Sequence, residues 1–444
     1  MPTPLYDALR GYAGREPLRF HMPGHKGAFL PAPELAGLAS IDVTELSGTG
    51  DLYEAGEPFD SAQRLWADLF GFDCCQFLTG GSTMGIHTGL ALCCRPGDRV
   101  LMDRGCHRAA FNALALLDLE PVWLERPWLR EEDLPGPISP EDVEKALEGC
   151  PDIKTVCITS PTYAGTLSNI GAISRVVHTH GGKLFVDGAH GAHLTFLGLA
   201  PFWGADVVTV SAHKTLPAMG QAALLFADGF ELDRVRQTAS VFGTSSPSYP
   251  ILASIDLARQ WMEETGAWRY QRTAVRVAEL RQRFPSLTDR PYHGFSLDPT
   301  RFVLKVKDGP AFARALRERD IYPEMEDGGH VVFICTAQDS GEDFLRLERA
   351  LEELRDQMGD CPPIPAPPIP ERALSPRQAL FAPVQEWPRP LKDCEGEIAA
   401  CQIAPYPPGV PVVAPGERIG KKELAYLEKI GYNTLSEVRI VSEA

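Results

Sequence analysis

The sequence predicts an α/β fold, with a large domain built on a mostly parallel β-sheet and a smaller C-terminal α/β domain. From about residue 60 onwards, segments with a helical hydrophobic period alternate with short apolar segments of strand character. Such an alternation implies right-handed crossovers, which cover both faces of a parallel sheet with helices. The chain has 444 residues, of which 44% are hydrophobic. It is therefore long enough for about two or three folded domains.

The predicted elements follow this alternation along the chain. Residues 1–20 predict a short helical arm, and glycine and proline mark "FHMPGHKGAF" as a loop. The helix-period segments are "SAQRLWADLFG", "RAAFNALALL" and "ISRVVHTHGG". The strand segments are "DRVLMD" and "EPVWLE", and "IKTVCITSPTYAG", "KLFVDGAHG" and "DVVTVSAHK" continue the alternation. A long helix over 249–284, broken near Thr265–Gly266, then leads out of the large domain.

A smaller α/β unit follows this long helix. Its predicted elements are the strand "FVLKVKD", the helix "GPAFARALRERD" and the strand "HVVFICT". Proline excludes the connector "CPPIPAPPIPERALSP" from a helix interior or a central strand, and a final helix is predicted near "KKELAYLEKIG". The predicted boundaries are 1–20 for the arm, 21–290 for the large domain, 291–360 for the small domain and 361–444 for the connector and C-terminal segment.

Composition and charge limit the class of partner. A net charge of −16 argues against nucleic acid and favours cationic small molecules. Because no run of about 18 apolar residues and no secretory signal is found, the sequence predicts a cytoplasmic protein without a membrane partner. The 11 cysteines include the adjacent pairs Cys74–Cys75 and Cys93–Cys94, which suit neither ordinary disulfides nor a spaced zinc site. We interpret them as small core residues in a reducing compartment.

Three stretches would meet at the carboxyl ends of the strands, where such folds bind ligands. In the first, "FLTGGSTMGIHTGLAL", Gly81 closes a tight turn and Ser82 and Thr83 begin a helix. The N–H groups and hydroxyls of a helix N-terminus suit a phosphate, and an ordinary N-cap is the alternative interpretation. A nucleotide is disfavoured because the stretch lacks both the P-loop lysine and the GxGxxG spacing.

The second stretch is "LFVDGAHGAH", in which Asp187 follows an apolar strand. A carboxylate at the end of a buried strand must be paired. The protonated ring nitrogen of a cofactor is one suitable partner, and the pyridinium nitrogen of pyridoxal phosphate is the commonest case. His190 and His193 could instead bind a metal, but no cysteine or carboxylate completes a ligand set, and we predict no metal.

The third stretch is "DVVTVSAHKTLPAMGQ", where Lys214 ends a strand beside Ser211 and His213. A lysine held in a partly desolvated site can form a Schiff base with an aldehyde, whereas a solvated surface lysine is the alternative. A phosphate cradle, a pyridinium partner and a nucleophilic lysine, in this order on a βα scaffold, point to pyridoxal phosphate as the cofactor.

These motifs resemble those of the Orn/Lys/Arg decarboxylases of the bacterial type, in their short form, within the aspartate-aminotransferase-like fold type I of pyridoxal-phosphate enzymes. The resembling segments are "FHMPGHKG", "GGSTMG", "SPTYAG", "VDGAHGAH", "SAHKTLPA", "SSPSYPILASID" and "PYPPGVP…PGE", and they run from residue 20 to residue 417. The resemblance implies an aspartate-aminotransferase-like large domain that binds pyridoxal phosphate. It also implies a homodimer or a higher homo-oligomer.

The resemblance further implies roles for individual residues. Lys214 would hold the cofactor covalently, Asp187 would pair with the pyridine nitrogen, and His107 of "DRGCHRAAF" would stack on the ring. His213 would contact the phosphate or the substrate carboxylate, and it or Lys214 would return a proton after loss of CO2. These three residues, Lys214, His213 and His107, are the expected catalytic residues. The other expected cofactor contacts are Gly81, Ser82, Thr83, Ala189, His190 and Ser211.

The reaction implied by the resemblance is decarboxylation of a basic amino acid, with arginine to agmatine ahead of lysine to cadaverine and ornithine to putrescine. The run "IDVTELSGTGDLYEAGEP" could receive the cationic side chain or be a solvated acidic loop. Cys401 stands where several members have glutamate, Arg108 where lysine is expected, and Ala223 where a polar residue is common. The alternatives are a pyridoxal-phosphate-dependent aminotransferase or lyase, and a cofactor-binding paralogue without catalysis.

Overall fold

Two compact units make up the chain. The computed structural model describes residues 1–28, 30, 32–289, 296–385, 387–405 and 409–442. The first unit comprises residues 1–93 and 185–271, and the second comprises residues 94–184 and 272–444. The predicted domain boundaries remain a prediction.

Helices and strands alternate along much of the chain. The helices are α1 (Pro4–Ala13), α2 (Ala36–Ala39), α3 (Phe59–Phe70), α4 (Gly81–Cys93), α5 (Arg108–Leu117), α6 (Pro140–Gly149), α7 (Ile170–Thr179), α8 (Ala212–Thr215), α9 (Leu232–Phe242), α10 (Tyr249–Trp261), α11 (Ala267–Arg283), α12 (Gly309–Arg317), α13 (Gly341–Glu353), α14 (Pro376–Phe381) and α15 (Lys421–Lys429). The strands are β1 (Cys74–Leu78), β2 (Arg99–Asp103), β3 (Glu120–Leu124), β4 (Trp128–Leu129), β5 (Leu134–Pro135), β6 (Thr155–Thr159), β7 (Thr166–Leu167), β8 (Lys183–Asp187), β9 (Val207–Ser211), β10 (Ala223–Ala227), β11 (Ser296–Leu297), β12 (Arg301–Lys305), β13 (Met325–Glu326), β14 (His330–Ile334), β15 (Arg389–Pro390) and β16 (Glu437–Val438).

In the first unit, strands lie side by side in the order β1, β10, β9 and β8. Strands β8 and β9 are parallel, whereas β10 is antiparallel to both of its neighbours. All residues of β1, β9 and β10 are buried. Burial of a whole strand requires cover on both faces of the sheet, in agreement with the continuous apolar and β-branched run of β9.

Helix α4 packs closely on these strands because two of its residues are glycines. A Cβ atom at Gly85 would lie 1.9 Å from Oγ1 of Thr209, and one at Gly89 would lie 2.5 Å from the ring of Phe185. A side chain at either position would push the helix away from β8 and β9. The close approach brings the first turn of α4 to the carboxyl end of β9, the edge of the sheet where the site lies.

The second unit contains the parallel strands β6, β2 and β3, adjacent in that order. It also contains an antiparallel sheet in the order β12, β14 and β13. Helices α11, α12 and α13 share an apolar core with this sheet, in which Val277, Phe302, Phe312, Phe333 and Leu351 are buried. The predicted strand, helix and strand of the smaller α/β unit are thus confirmed as β12, α12 and β14.

The C-terminal part of the second unit has an apolar core of its own. This core includes Leu391, Ile403, Val413, Leu427 and Ile440, and the predicted final helix is α15. The described residues of the proline-rich connector, up to the start of α14 at Pro376, form no helix or strand. A fixed φ and a missing N–H at each proline account for this.

The α/β fold predicted from the sequence is confirmed, and the differences are local. The predicted break in the long helix is a π-helical turn at Met262–Gly266, between α10 and α11. The sequence analysis missed β1 and β10, whose five-residue apolar segments lack a periodic pattern long enough to separate strand from helix.

All 11 cysteines lie among the described residues, none of them forms a disulfide, and six of them are buried. The buried thiols, such as those of Cys75 and Cys335, are core residues as predicted, and burial raises the pKa of both. None of the helices in the described part of the chain has the length and apolar character that a membrane span requires.

Candidate active site

Lys214 lies in the first unit, directly after a buried strand. Strand β9 ends at Ser211, and the single turn of α8 then carries Lys214, so the lysine follows the strand instead of ending it as predicted. The backbone N–H of Leu216 donates to the carbonyl of Ala212 at 2.7 Å and closes this turn. Lys214 is half-buried at this position, so that its amine is neither fully solvated nor sealed in the core.

A histidine from the neighbouring strand reaches this lysine. The amine nitrogen of Lys214 and Nε2 of His190 are 3.1 Å apart. His190 follows β8 after a tight turn, in which the N–H of Gly188 donates to the carbonyl of Thr209 at 2.8 Å. A Cβ atom at Gly188 would lie 2.5 Å from the ring of Phe202. Glycine is therefore required in "VDGAH" for the turn that places the histidine beside the lysine.

Asp187 is the last residue of β8 and is 4% exposed. It pairs in register with Thr209 of β9, two residues before the end of that strand. Its Oδ1 accepts a hydrogen bond from the N–H of Ala189 at 3.2 Å, which orients the carboxylate at the start of the turn. The structure thus places Asp187, Ala189 and His190 on one turn at the carboxyl end of the sheet.

The residues of the predicted phosphate cradle come from two chain segments. The hydroxyl oxygens of Ser82, in the first turn of α4, and Ser211, at the end of β9, are 2.6 Å apart. The N–H of Gly81 donates to the carbonyl of Gln221 at 2.9 Å and anchors the start of the helix. Ser82 and Ser211 are buried, whereas Thr83 is exposed. Because the first N–H groups of a helix have no intrahelical acceptor, this end of α4 offers donors to an anion.

His213, on α8, is held by the residue that precedes β10. Its Nδ1 lies 2.9 Å from the carbonyl oxygen of Ala222, and its backbone N–H donates to the same oxygen at 3.3 Å. A carbonyl oxygen only accepts hydrogen bonds, so Nδ1 carries the proton. The nitrogen of His213 that remains for proton exchange is therefore Nε2.

Two further residues support the lysine turn from behind. The hydroxyl of Tyr270 donates to the carbonyl of Thr215, the residue after Lys214. The rings of Tyr270 and His193 are in contact, with centroids 4.9 Å apart, and both residues are buried. The sequence pattern did not indicate Tyr270, because it lies in the first turn of α11, 56 positions from Lys214 by their residue numbers. The helical pattern of apolar residues indicates that Tyr270 is buried, but it does not indicate which residue Tyr270 contacts.

His107 belongs to the second unit. It is the N-cap of α5, and its Nδ1 accepts a hydrogen bond from the N–H of Ala109 at 3.2 Å. Because Nδ1 accepts this bond with its lone pair, it carries no proton. The imidazole ring is therefore neutral, with its proton on Nε2. His107 is half-buried, and the following Arg108 is exposed.

The residues on which substrate choice is predicted to depend belong to both units. Asp42 of the acidic run pairs with His25 at 3.1 Å, and Oδ1 of Asp51 accepts the N–H of Tyr53 at 2.9 Å. Cys401 packs at the edge of the C-terminal core, 3.6 Å from the carbonyl of Arg439. Ala223 is buried at the start of β10. Residues 406–408 of the "PYPPG" motif lie outside the described residues.

The donor set at this edge of the sheet fits pyridoxal phosphate. Hydroxyls and N–H groups at a helix N-terminus suit a phosphate dianion, a buried carboxylate suits a pyridinium nitrogen, and a primary amine suits an aldehyde. Among the residues that the structure describes, no three His, Cys, Asp or Glu side chains come together as a metal site. Fold and site together define the class of pyridoxal-phosphate enzymes of fold type I.

Comparisons with known proteins specify the family within this class. Residues 3–302 match the family model described as Orn/Lys/Arg decarboxylase, major domain, and residues 366–433 match its C-terminal domain. The chain belongs to this family. It is 31% identical to an arginine decarboxylase of Bacillus subtilis, over 96% of this chain and 93% of the relative.

Solved structures show the same fold. A lysine decarboxylase of Francisella novicida superposes with a TM-score of 0.82 at 19% identity, covering 99% of this chain and 81% of its own. An alanine–glyoxylate aminotransferase from a Nostoc species superposes with a TM-score of 0.55 at 17% identity, covering 67% of this chain and 86% of its own. The protein is thus a pyridoxal-phosphate-dependent decarboxylase that acts on a basic amino acid.

Proposed function

We propose that the protein decarboxylates arginine to agmatine. The observation that carries this proposal is the similarity to arginine decarboxylases along almost the whole chain, including the Bacillus subtilis protein at 31% identity. The Francisella novicida lysine decarboxylase is similar mainly in fold, at 19% identity. The net charge of −16 supports a cationic substrate, because an acidic field raises its local concentration.

Lys214 is proposed as the residue that binds the cofactor covalently through its amine. Asp187 supplies the buried carboxylate for the pyridine nitrogen. Ser82, Thr83 and Ser211 supply hydroxyl donors for the phosphate. Support for these roles comes from the 2.6 Å contact between the hydroxyls of Ser82 and Ser211 and from the burial of Asp187. Gly81 begins the helix whose first N–H groups complete the phosphate site.

The remaining predicted residues are proposed to shape the space around the ring. Ala189 follows Asp187 closely and is small enough to lie under a flat ring. His107 would stack on the cofactor ring and so restrict the orientation of the bond to be broken. When bound, pyridoxal phosphate supplies an electron sink for the electron pair that stays behind as CO2 leaves.

Proton transfer is proposed for His190, His213 and Lys214. Nε2 of His190 lies 3.1 Å from the amine of Lys214, so the histidine can hold or accept a proton of that amine. Nδ1 of His213 already donates to the carbonyl of Ala222. His213 therefore returns a proton only from Nε2 of its protonated ring, and as a neutral ring it accepts one.

A homodimer is proposed as the active assembly. Leu18, Phe20 and Met22 are 85%, 88% and 67% exposed and lie within five consecutive residues of the chain. Clustered exposed apolar side chains mark an interaction surface, and a second copy of this chain is the proposed partner. Light scattering should report a dimer for the wild type. Phe20→Ser should weaken it, whereas Tyr322→Ser, at an exposed residue of the small α/β unit, should not.

The cytoplasm is proposed as the compartment. The 11 cysteines, none of which is in a disulfide, support this assignment, since thiols persist in a reducing environment.

The first experiment measures amine products by mass spectrometry. The protein with pyridoxal phosphate is incubated separately with arginine, lysine and ornithine, beside Lys214→Ala and Lys26→Ala. Lys26 is the other lysine that follows a histidine, but it lies in a loop. Borohydride reduction before mass analysis should locate the cofactor on Lys214 in the wild type and in Lys26→Ala, and nowhere in Lys214→Ala.

Agmatine formed from arginine, and lost only in Lys214→Ala, is the expected result. Cadaverine or putrescine in its place would overturn the choice of arginine and leave decarboxylation intact. A keto acid without an amine would identify an aminotransferase. Cofactor bound to Lys214 with no product from any substrate would identify a paralogue without catalysis.

A further inference from the structure

Arg104 connects the loop before α5 to the C-terminal segment. Its Nη1 donates to the carbonyl of Pro411 at 2.7 Å, and its Nη2 donates to the carbonyl of Val412 at 3.0 Å. Nη2 also pairs with Oε2 of Glu417 at 3.0 Å. The planar guanidinium serves three acceptors at once, which an ammonium group with a single nitrogen cannot do at these positions.

This ion pair is almost completely removed from water. The side chains of Arg104 and Glu417 are 9% and 2% exposed. The guanidinium carbon lies 5.1 Å from the ring centroids of both Phe111, on α5, and Trp123, on β3. Burial raises the pKa of Glu417, although the Arg104 guanidinium and the N–H of Ala414 oppose this effect. A charge pair in such surroundings holds a fixed geometry, because either charge alone would be left buried without compensation.

The loop that carries His107 is also attached at its two ends. At its start, buried Asp103 pairs with Arg126 and accepts the N–H of Gly105 at 2.8 Å. At its end, the N–H of Arg108 donates to the carbonyl of Gly409 at 3.1 Å, and the amide of Gln402 donates to the carbonyl of Arg108 at 3.1 Å.

His107 therefore lies between Arg104 and Arg108, and both of these residues are attached to the C-terminal segment. Its own ring is further held by the hydrogen bond that caps α5. A shift of the loop would move the cap, the start of the helix and the imidazole together.

We propose that Arg104 and Glu417 are positioning residues for the active site, through which the C-terminal segment sets the place of the His107 ring. Neither residue is assigned a contact with cofactor or substrate. The proposal rests on the stacking role proposed for His107. It assigns a function in the active site to a segment that otherwise has a separate apolar core.

The test is a double-mutant cycle between Arg104 and His107 in the cofactor-loaded enzyme. Arg104→Met keeps an apolar stem between the rings of Phe111 and Trp123 and removes all the donors. Misplacing a reacting group by about 1 Å costs on the order of 100-fold in rate. We expect Arg104→Met to lower kcat about tenfold or more, with a smaller effect on KM, and to change the circular dichroism of the bound cofactor. Arg104→Lys and Glu417→Gln should give partial losses of the same kind.

His107→Ala provides the decisive background. If Arg104 acts through the His107 ring, then adding Arg104→Met to His107→Ala should change neither kcat nor the cofactor dichroism further. Arg389→Met is the matched control. Arg389 forms an ion pair of 2.9 Å with Glu397 in the same C-terminal segment and also donates to the carbonyl of Asp393. Neither of these partners belongs to the His107 loop, so its loss should leave the dichroism unchanged.

The outcomes separate this proposal from the one on which it rests. An additive loss in the double variant would overturn the positioning role, as would an unchanged dichroism in all the Arg104 and Glu417 variants. A His107→Ala variant with the wild-type dichroism and kcat would instead refute the stacking role of His107. If Arg104→Met does not fold, as judged by its thermal transition, the cycle is run with Arg104→Lys and Glu417→Gln.

Discussion

Asp256 lies on α10 and accepts hydrogen bonds from the first turn of α1. Its Oδ2 accepts the N–H groups of Leu5 and Tyr6 at 2.9 and 3.1 Å, and the carboxylate is completely buried. Its Oδ1 has no hydrogen-bond donor among the described residues and lies 4.0 Å from Nη2 of Arg259. Burial raises the pKa of Asp256 from 3.8 to about 6, although the N–H of Tyr6 and the Arg259 guanidinium oppose the rise.

The raised pKa of Asp256 determines the direction in which the free energy of unfolding changes with pH. The folded protein binds the Asp256 proton more tightly than the unfolded chain, so this stabilisation is complete below pH 3.8 and is lost as the pH rises through about 6. One pKa unit corresponds to about 1.4 kcal/mol, so the whole effect amounts to roughly 3 kcal/mol. Between pH 4.5 and 7.5, about 2 kcal/mol of it is lost.

The perturbation is Asp256→Asn, which keeps an oxygen acceptor for α1 and cannot ionise. Its free energy of unfolding, minus that of the wild type, should rise by about 2 kcal/mol between pH 4.5 and 7.5. Urea unfolding at a series of pH values, followed by far-ultraviolet circular dichroism, measures this difference. Asp7→Asn is the control, because Asp7 lies exposed in the first turn of the same helix. A difference for Asp256→Asn that stays constant, or falls, as the pH rises would refute the reasoning.

Three further outcomes follow from the described contacts. Gly85→Ala should lower the free energy of unfolding by about 1–3 kcal/mol, because its Cβ would lie 1.9 Å from Oγ1 of Thr209. Gly11→Ala in α1 meets no atom within 4 Å and should raise the free energy of unfolding by about 0.5–1 kcal/mol. Thermal unfolding compares the two variants. Ser82→Ala should raise the Kd for pyridoxal phosphate about tenfold in a spectroscopic titration of the apoprotein, and an unchanged Kd would argue against a phosphate contact. Tyr270→Phe removes the hydrogen-bond donor to the carbonyl of Thr215, so it should lower the free energy of unfolding by about 1 kcal/mol and lower kcat. The cofactor should stay attached to Lys214 in this variant, which mass analysis after borohydride reduction measures.

The elements that the sequence predicted well are those with a long or uniform pattern. The apolar run before Ser211 became β9, and the amphipathic segments after residues 60 and 107 became α3 and α5. Burial on both faces of a sheet leaves a continuous apolar run in the sequence, and burial on one face of a helix leaves a period of 3.6 residues. Strands β1 and β10 were missed because a segment of five mostly apolar residues fits either a strand or a helix.

In the candidate site, too, some features follow from local sequence patterns and others depend on contacts between distant residues. Asp187, Ser211 and Lys214 were found from the sequence because each follows or ends a strand, and the carboxyl ends of such strands share one edge. The pairing of His190 with the Lys214 amine depends on the turn at Gly188, and the donation from Tyr270 to Thr215 joins residues far apart in the chain. Neither contact leaves a local pattern.

The sequence by itself determined the α/β class and the cofactor chemistry, and it predicted the chain order of the residues proposed to bind the cofactor. Local periodicity and the chemistry of single side chains carry that information. Only the tertiary structure decided which nitrogen of His213 and of His107 holds the proton, and which residues hold the His107 loop. The reason is physical: a tautomer and a buried ion pair such as that of Arg104 and Glu417 depend on the atoms that long-range packing brings within hydrogen-bond distance.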